Sequence, residues 1–118
     1  MNIQIFGVKK CFDTKKAERF FKERNIKYQF IDFSLKGLSK RELESVRISL
    51  GGINKVINEI SKEYKKLNIA LIRSNEMKEK ILLENTGLYK TPIVRNGKKA
   101  TVGYDIDAWK SWIEEDNK

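Results

Sequence analysis

The first 32 residues read as strand, helix and strand. A crossover that short allows one arrangement: two parallel strands joined right-handedly, with the helix packed on one face. The first strand covers about residues 2–6, where Ile3 and Ile5 alternate with polar neighbours. Ala17, Phe20 and Phe21 then fall at helical spacing, which places a helix from Cys11 or Asp13 to Asn25. Lys22 and Arg24 suit its last turn, and Asn25 its stop. Tyr28, Phe30 and Ile31 give residues 27–32 strand propensity.

The other end of the chain has a different order. Ile93-Val94-Arg95 and Ala100-Thr101-Val102 flank Asn96-Gly97, a strong hairpin signal. Asp105 caps a final helix whose buried face is Trp109, Trp112 and Ile113, with Tyr104 placed to staple onto Trp109. The acidic end of that helix, Glu114-Glu115-Asp116, is expected to fray. Pro92 begins the third strand, a position that tolerates proline in either isomer.

Between the ends, residues 38–89 read as helical. Ser39 and Glu42 form a capping box with Leu38 stapling onto Leu43, and Gly51-Gly52 stops that helix. Ile53, Val56, Ile57 and Ile60 suggest a further short apolar face. Ser74 starts another helix with Met77 and Ile81 as core positions and Gly87 as its end. The expected architecture is α/β: a four-stranded mixed sheet from a β-α-β and a β-β-α unit, interrupted by a helical insert. One domain is expected, with residues 1–37 and 90–118 as its core and residues 38–89 as the insert.

Composition narrows the chemistry. The chain has no histidine and one cysteine. Ser-His-Asp and Cys-His catalysis are therefore excluded, as are zinc sites of the Cys/His type. The one Asp-x-Asp, Asp105-Ile106-Asp107, opens the final helix and is not a metal-binding loop, so neither a metal nor a bound cofactor is expected. A lone cysteine also excludes an internal disulfide and suits a reducing compartment. The chain enters a strand at once, without an apolar run behind a basic start. No apolar stretch approaches the roughly 20 residues of a membrane span. No signal peptide and no membrane partner are expected, and a cytoplasmic location follows.

The net charge is +9, and it is uneven: residues 1–67 carry 16 Lys/Arg against 8 Asp/Glu, residues 68–118 carry 9 against 8. Such an excess fits an acidic partner or a solubilising lysine surface. No aromatic-plus-basic RNA motif or DNA-reading helix pair accompanies it, so direct nucleic-acid binding is not expected.

Cys11 carries the candidate chemistry. It sits where the first strand hands over to the first helix. Amides at a helix N-terminus stabilise a thiolate. Lys9, Lys10, Lys15 and Lys16 push the same way, while a carboxylate at Asp13 opposes. The competing reading is a small inert hydrophobe.

In order and spacing, Cys11-Phe12-Asp13-Thr14-Lys15-Lys16-Ala17, Gly52, Tyr64-Lys65-Lys66-Leu67-Asn68, Thr91-Pro92-Ile93-Val94 and Val102-Gly103-Tyr104 resemble the arsenate reductase-like family. That family includes the ArsC enzymes and the Spx transcriptional regulators, and the resemblance runs nearly end to end. It implies a thioredoxin-like fold with an inserted helical subdomain. Departures from the pattern bear on function. Thr14 stands where Spx redox regulators carry a second cysteine. Three arginines that the ArsC enzymes place around the oxyanion are missing: Thr91 stands at one position, Asn58-Glu59-Ile60 spans another, and Gly103 stands near the third. That argues against efficient arsenate reduction, since the bidentate guanidinium fork has no substitute there.

The first expectation is a single-cysteine thiol oxidoreductase. Its Cys11 thiolate would attack a disulfide or oxidised substrate, and an external thiol such as glutathione would resolve the mixed disulfide. The resemblance implies that Lys15 and Thr14 hold the thiolate or substrate and that Thr91 and Pro92 position it. The second expectation is an Spx-like regulator binding the C-terminal domain of the RNA polymerase α subunit through Gly52, although Gly51-Gly52 reads equally as a plain helix stop. The third is an arsenate reductase relying on other cations.

Overall fold

A computed structural model describes residues 1–118. Strands β1 (Ile3–Gly7) and β2 (Tyr28–Asp32) pair in parallel, with Ile3 opposite Tyr28 and Gly7 opposite Asp32. Helix α1 (Phe12–Glu23) makes the crossover between them. It stops where Asn25 takes a positive φ of 56°, a conformation asparagine tolerates better than most residues. Strand β3 (Ile93–Asn96) runs antiparallel to β1, and β4 (Lys99–Val102) antiparallel to β3. The four-stranded order is β2-β1-β3-β4. This is the four-stranded mixed sheet expected from the sequence.

Alternation along the strands divides the core in two. Ile3, Ile5 and Val94 face α1 and α5 (Ile106–Asp116), where Ala17, Phe20, Phe21, Trp109 and Trp112 close over them. Phe6 and Ile93 face the other way. There they meet Leu43 and Val46 of α2 (Lys40–Leu50), Leu82 of α4 (Asn75–Glu84), and Phe33, Leu88 and Tyr89 from the connections. A short helix, α3 (Lys62–Lys66), lies between α2 and α4 in sequence. Both faces of β1 are therefore buried, which explains why its C-terminal half is apolar without interruption.

The caps follow the sequence closely. Ser39 and Glu42 complete the capping box of α2, and Gly51 ends it in the left-handed region at φ 85°. Ser74 accepts from the Met77 amide at the start of α4, and Asp105 from the Ala108 amide at the start of α5. Tyr104 packs edge-on against Trp109 at 5.5 Å between ring centroids, as a staple should.

Four local expectations are corrected. Met77 is 48% exposed, because α4 turns Leu82 rather than Met77 to the core. That helix ends at Glu84 instead of reaching Gly87, since the Asn85 side chain donates to the Ile81 carbonyl and terminates it. Ile60 is exposed: the backbone becomes extended at Ile57, which bridges to Tyr89, so the helical spacing that joined Ile57 to Ile60 is broken. The acidic end of α5 is helical through Asp116. Glu115 pairs with Lys99, and Asp116 lies 3.4 Å from the Met1 amino group.

Candidate functional site around Cys11

The end of β1 and the start of α1 place the thiol. After Gly7 the chain makes one turn, closed by the Cys11 amide donating to the Val8 carbonyl at 3.1 Å. Cys11 is then the N-cap of α1, with extended backbone angles, and its carbonyl accepts the first helical bond from Lys15. At the N-cap the half-buried Sγ lies by the free amides of the first turn, those of Asp13 and Thr14, without making a capping hydrogen bond of good geometry to either.

The opposite wall comes from the chain entering β3. Thr91 Oγ1 donates to Sγ at 3.2 Å, and the thiol in turn points at the Thr91 carbonyl at 3.8 Å. The Thr91–Pro92 peptide is cis, Pro92 is buried, and its carbonyl accepts from the Gly103 amide at 2.8 Å. Cys11, Thr14, Thr91 and Pro92 are thus gathered in one place from distant parts of the sequence.

Burial is the largest single influence on the thiol, and it disfavours the thiolate. It is outweighed by the donors around Sγ, the Thr14 hydroxyl, the Thr91 hydroxyl that donates to it at 3.2 Å, and the first-turn amides of Thr14 and Asp13, so the Cys11 pKa is lowered. The Thr14 hydroxyl is the more unusual of these donors. Thr14 is fully buried, and its Oγ1 makes no hydrogen bond of good geometry to any group in this structure, Sγ included. A buried hydroxyl left free in this way is stabilised by any anion that forms on Sγ.

Two expected members stand apart. The Lys15 ammonium lies 5.7 Å from the centroid of the Phe12 ring, and none of the four nearby lysines is among the influences on the thiol. Lys9, Lys10, Lys15 and Lys16 are all exposed, where water screens them. Asp13 acts through its amide, not through its carboxylate. Gly52 shares no hydrogen bond with the Cys11 group. It caps a 3-10 turn at the end of α2, at φ 154° and ψ 153°, and nothing lies within 4 Å of where its Cβ would be.

Two features escaped the sequence reading. Phe12, the residue directly after the nucleophile, is 78% exposed. Gly7 is pressed against Thr14: a Cβ on Gly7 would lie 2.5 Å from Thr14 Oγ1 and 2.7 Å from Cγ2. A glycine at the end of an apolar strand was the available signal for that close approach. No group of three or more His, Cys, Asp or Glu side chains is arranged to hold a metal, and no helix is long and apolar enough to cross a membrane.

The family model described as ArsC matches residues 6–112, nearly the whole chain. This protein belongs to the ArsC family. Among curated members, the global transcriptional regulator Spx 2 of Oceanobacillus iheyensis is 31% identical over 115 residues, covering 96% of this chain and 84% of that protein. Among solved ArsC-family structures, a related protein of Bacteroides fragilis superposes with a TM-score of 0.83 at 23% identity, covering 94% of this chain and 97% of that one. The arsenate reductase of Vibrio cholerae gives a TM-score of 0.79 at 22% identity, with 86% and 89% covered. At these identities the two structures share the ArsC fold with this chain, and the fold is all they share by that measure.

Proposed function

We propose that this ArsC-family protein is a monothiol oxidoreductase acting through Cys11. The observation that carries the reading is the surround of Sγ: the Thr91 hydroxyl donates to it at 3.2 Å across the start of α1, and with the unpaired Thr14 hydroxyl and the first-turn amides nearby the thiolate is favoured against the opposing effect of burial. The Cys11 thiolate attacks one sulfur of a substrate disulfide. A Cys11–sulfur bond forms, the substrate S–S bond breaks, and the far sulfur leaves as a thiolate that takes a proton from water. One external thiol, such as glutathione, then displaces Cys11, and a second releases the remaining substrate thiol. Two external thiols are oxidised to one disulfide, and the substrate disulfide is reduced to two thiols. The chain supplies no second cysteine for this resolution, because Thr14 occupies the place where an i+3 partner would stand.

The test is the pH dependence of Cys11 alkylation, with Cys11→Ser as the blank. The apparent pKa is expected below the roughly 8.5 of a free thiol. Thr91→Val keeps the shape and removes the donor, so alkylation at neutral pH should slow by about tenfold, the worth of one hydrogen bond to a charged group. An ordinary or raised pKa, or a Thr91→Val variant as reactive as the parent, would sink the reading. The sign extends to stability. Because folding lowers this pKa, the thiolate's contribution is present above the ordinary thiol value and lost as pH falls through the folded value.

A second reading is favoured by the sequence relatives, which are regulators of the Spx type. In it, the open surface at Gly52 meets the C-terminal domain of the RNA polymerase α subunit. The wild type should then retain that domain in a pull-down, and Gly52→Arg should lose it. The backbone angles at Gly52 strain any other residue by about 1–3 kcal/mol, so thermal melting of the variant belongs in the same experiment. Retention by a folded Gly52→Arg variant, or no retention by the wild type, rules this reading out.

A further inference from the structure

On the helix that Cys11 caps, a groove of about 330 Å³ runs along α1 against the connection from β4 to α5. Lys16 and Arg19 line it from the helix and Arg24 from the residue after it, together with one carboxylate, Glu23, and Tyr104 stands on the far side. The Lys16 ammonium sits 5.3 Å from the Tyr104 ring centroid, so cation and aromatic face meet at the end of the groove nearest the thiol. The chain ties that end to the site. Lys16 is one helical turn beyond Phe12, and Tyr104 follows Gly103, whose amide is tied to Pro92 beside Thr91.

The groove's charge is not neutralised from within. The ion pairs of the molecule are Met1 with Asp116, Arg95 with Glu42, and Lys99 with Glu115. None involves a groove residue. Arg24 is committed otherwise, stacked 3.8 Å from the Phe20 ring centroid and donating to the Phe20 carbonyl. Lys16 and Arg19 remain as exposed cations without a carboxylate partner, and Phe12 adds an exposed apolar ring at the thiol itself. Cations unpaired along a groove on the helix that carries a nucleophile attract a substrate with the opposite charge near its reactive atom.

We infer that this groove seats an acidic peptide segment adjoining the reactive cysteine of a protein substrate, so that Lys16 and Arg19 set which disulfides Cys11 attacks. The inference rests on the thiol-transfer reading above and names the substrate class for it. The acidic flank lies along α1 while the substrate sulfur meets Sγ between Thr91 and the helix N-terminus.

The test uses three peptides whose single cysteine carries a 2-thiopyridyl group. They are flanked by aspartates, by asparagines or by lysines, and are otherwise identical. Cys11 attack transfers the peptide to the enzyme as a mixed disulfide and releases 2-thiopyridone, which is followed by absorbance. At about 0.01 M ionic strength, where screening is weak, the aspartate peptide should react about tenfold faster than the asparagine peptide, and the lysine peptide slowest. The advantage should collapse toward one near 1 M salt. Lys16→Glu combined with Arg19→Glu should bring the ratio of aspartate to asparagine rates to one or below. Equal rates for the aspartate and asparagine peptides in the wild type overturn the inference. So does a preference that survives in the double variant, which would locate it on the lysines beside Cys11. The asparagine peptide separates the two failures. If the wild type releases thiopyridone from it no faster than Cys11→Ser does, thiol transfer itself fails, and the inference falls with it.

Discussion

Replacing Trp109 with alanine is expected to remove about 3–5 kcal/mol of stability, the range for emptying a buried aromatic site. The indole is fully buried between Phe20 and Phe21, with ring centroids at 5.3 and 5.5 Å, and Tyr104 packs on its edge. Its Nε1 also donates to Thr101 Oγ1 at 2.9 Å, in a place closed to water. Truncation therefore leaves a void and a buried hydroxyl without its donor, the second adding about 1–3 kcal/mol. Folded domains hold only about 5–15 kcal/mol in total, so the variant is expected to lie close to its unfolding threshold. Urea titration followed by circular dichroism measures this as a lower midpoint. Trp109→Phe, which keeps a ring and loses the N–H, should fall between the alanine variant and the parent. If both variants unfold within about 1 kcal/mol of the parent, the α5 face of the core is not what holds this helix to the sheet.

The parts of the fold legible in the sequence are those set by local chemistry. The capping box at Ser39 and Glu42, the Asn96-Gly97 turn, the Tyr104–Trp109 staple and the β-α-β crossover each follow from a few adjacent residues. What the sequence concealed depends on which way an element rolls. Met77 and Leu82 lie on different faces of one short helix, and only contact with Leu43 and the rest of that cluster decides which is buried. Ile60 misled for a related reason: a single extended residue at Ile57 undoes helical spacing without changing composition.

The site divides along the same line. The cysteine at a strand-to-helix junction and the threonine before Pro92 were visible as candidates, but their contact spans 80 positions in the sequence. The lysines looked like the source of a lowered thiol pKa because they are close in sequence. In space they are exposed, while the groups that act on the thiol are the Thr91 hydroxyl bonded to it and the Thr14 hydroxyl and first-turn amides close by. Short-range donors in a partly buried place outweigh charges in water.

Gly7→Ala is expected to disturb both the sheet and the thiol, and its effect should depend on Thr14. The added methyl would sit 2.5 Å from Thr14 Oγ1 and 2.7 Å from Cγ2, closer than packed atoms tolerate, on a strand buried on both faces. Neither neighbour yields easily: Gly7 pairs with Asp32 across the sheet and accepts from the Phe33 amide, and Thr14 is fully buried in the first turn of α1. Overpacking of this kind costs about 1–3 kcal/mol. The movement that relieves it carries the Thr14 hydroxyl away from Sγ, so Cys11 alkylation at neutral pH should slow as well. Thr14→Ala removes both close atoms and leaves only Cβ, 3.2 Å from the new methyl. In that background Gly7→Ala should cost much less, giving a coupling of about 1–2 kcal/mol between positions in contact. Denaturant midpoints of the four proteins, read beside their alkylation rates, close the cycle. Additive stabilities would mean that the strand end absorbs the methyl without moving Thr14. Coupled stabilities with falling reactivity would mean that the glycine is there to let a buried hydroxyl reach the thiol.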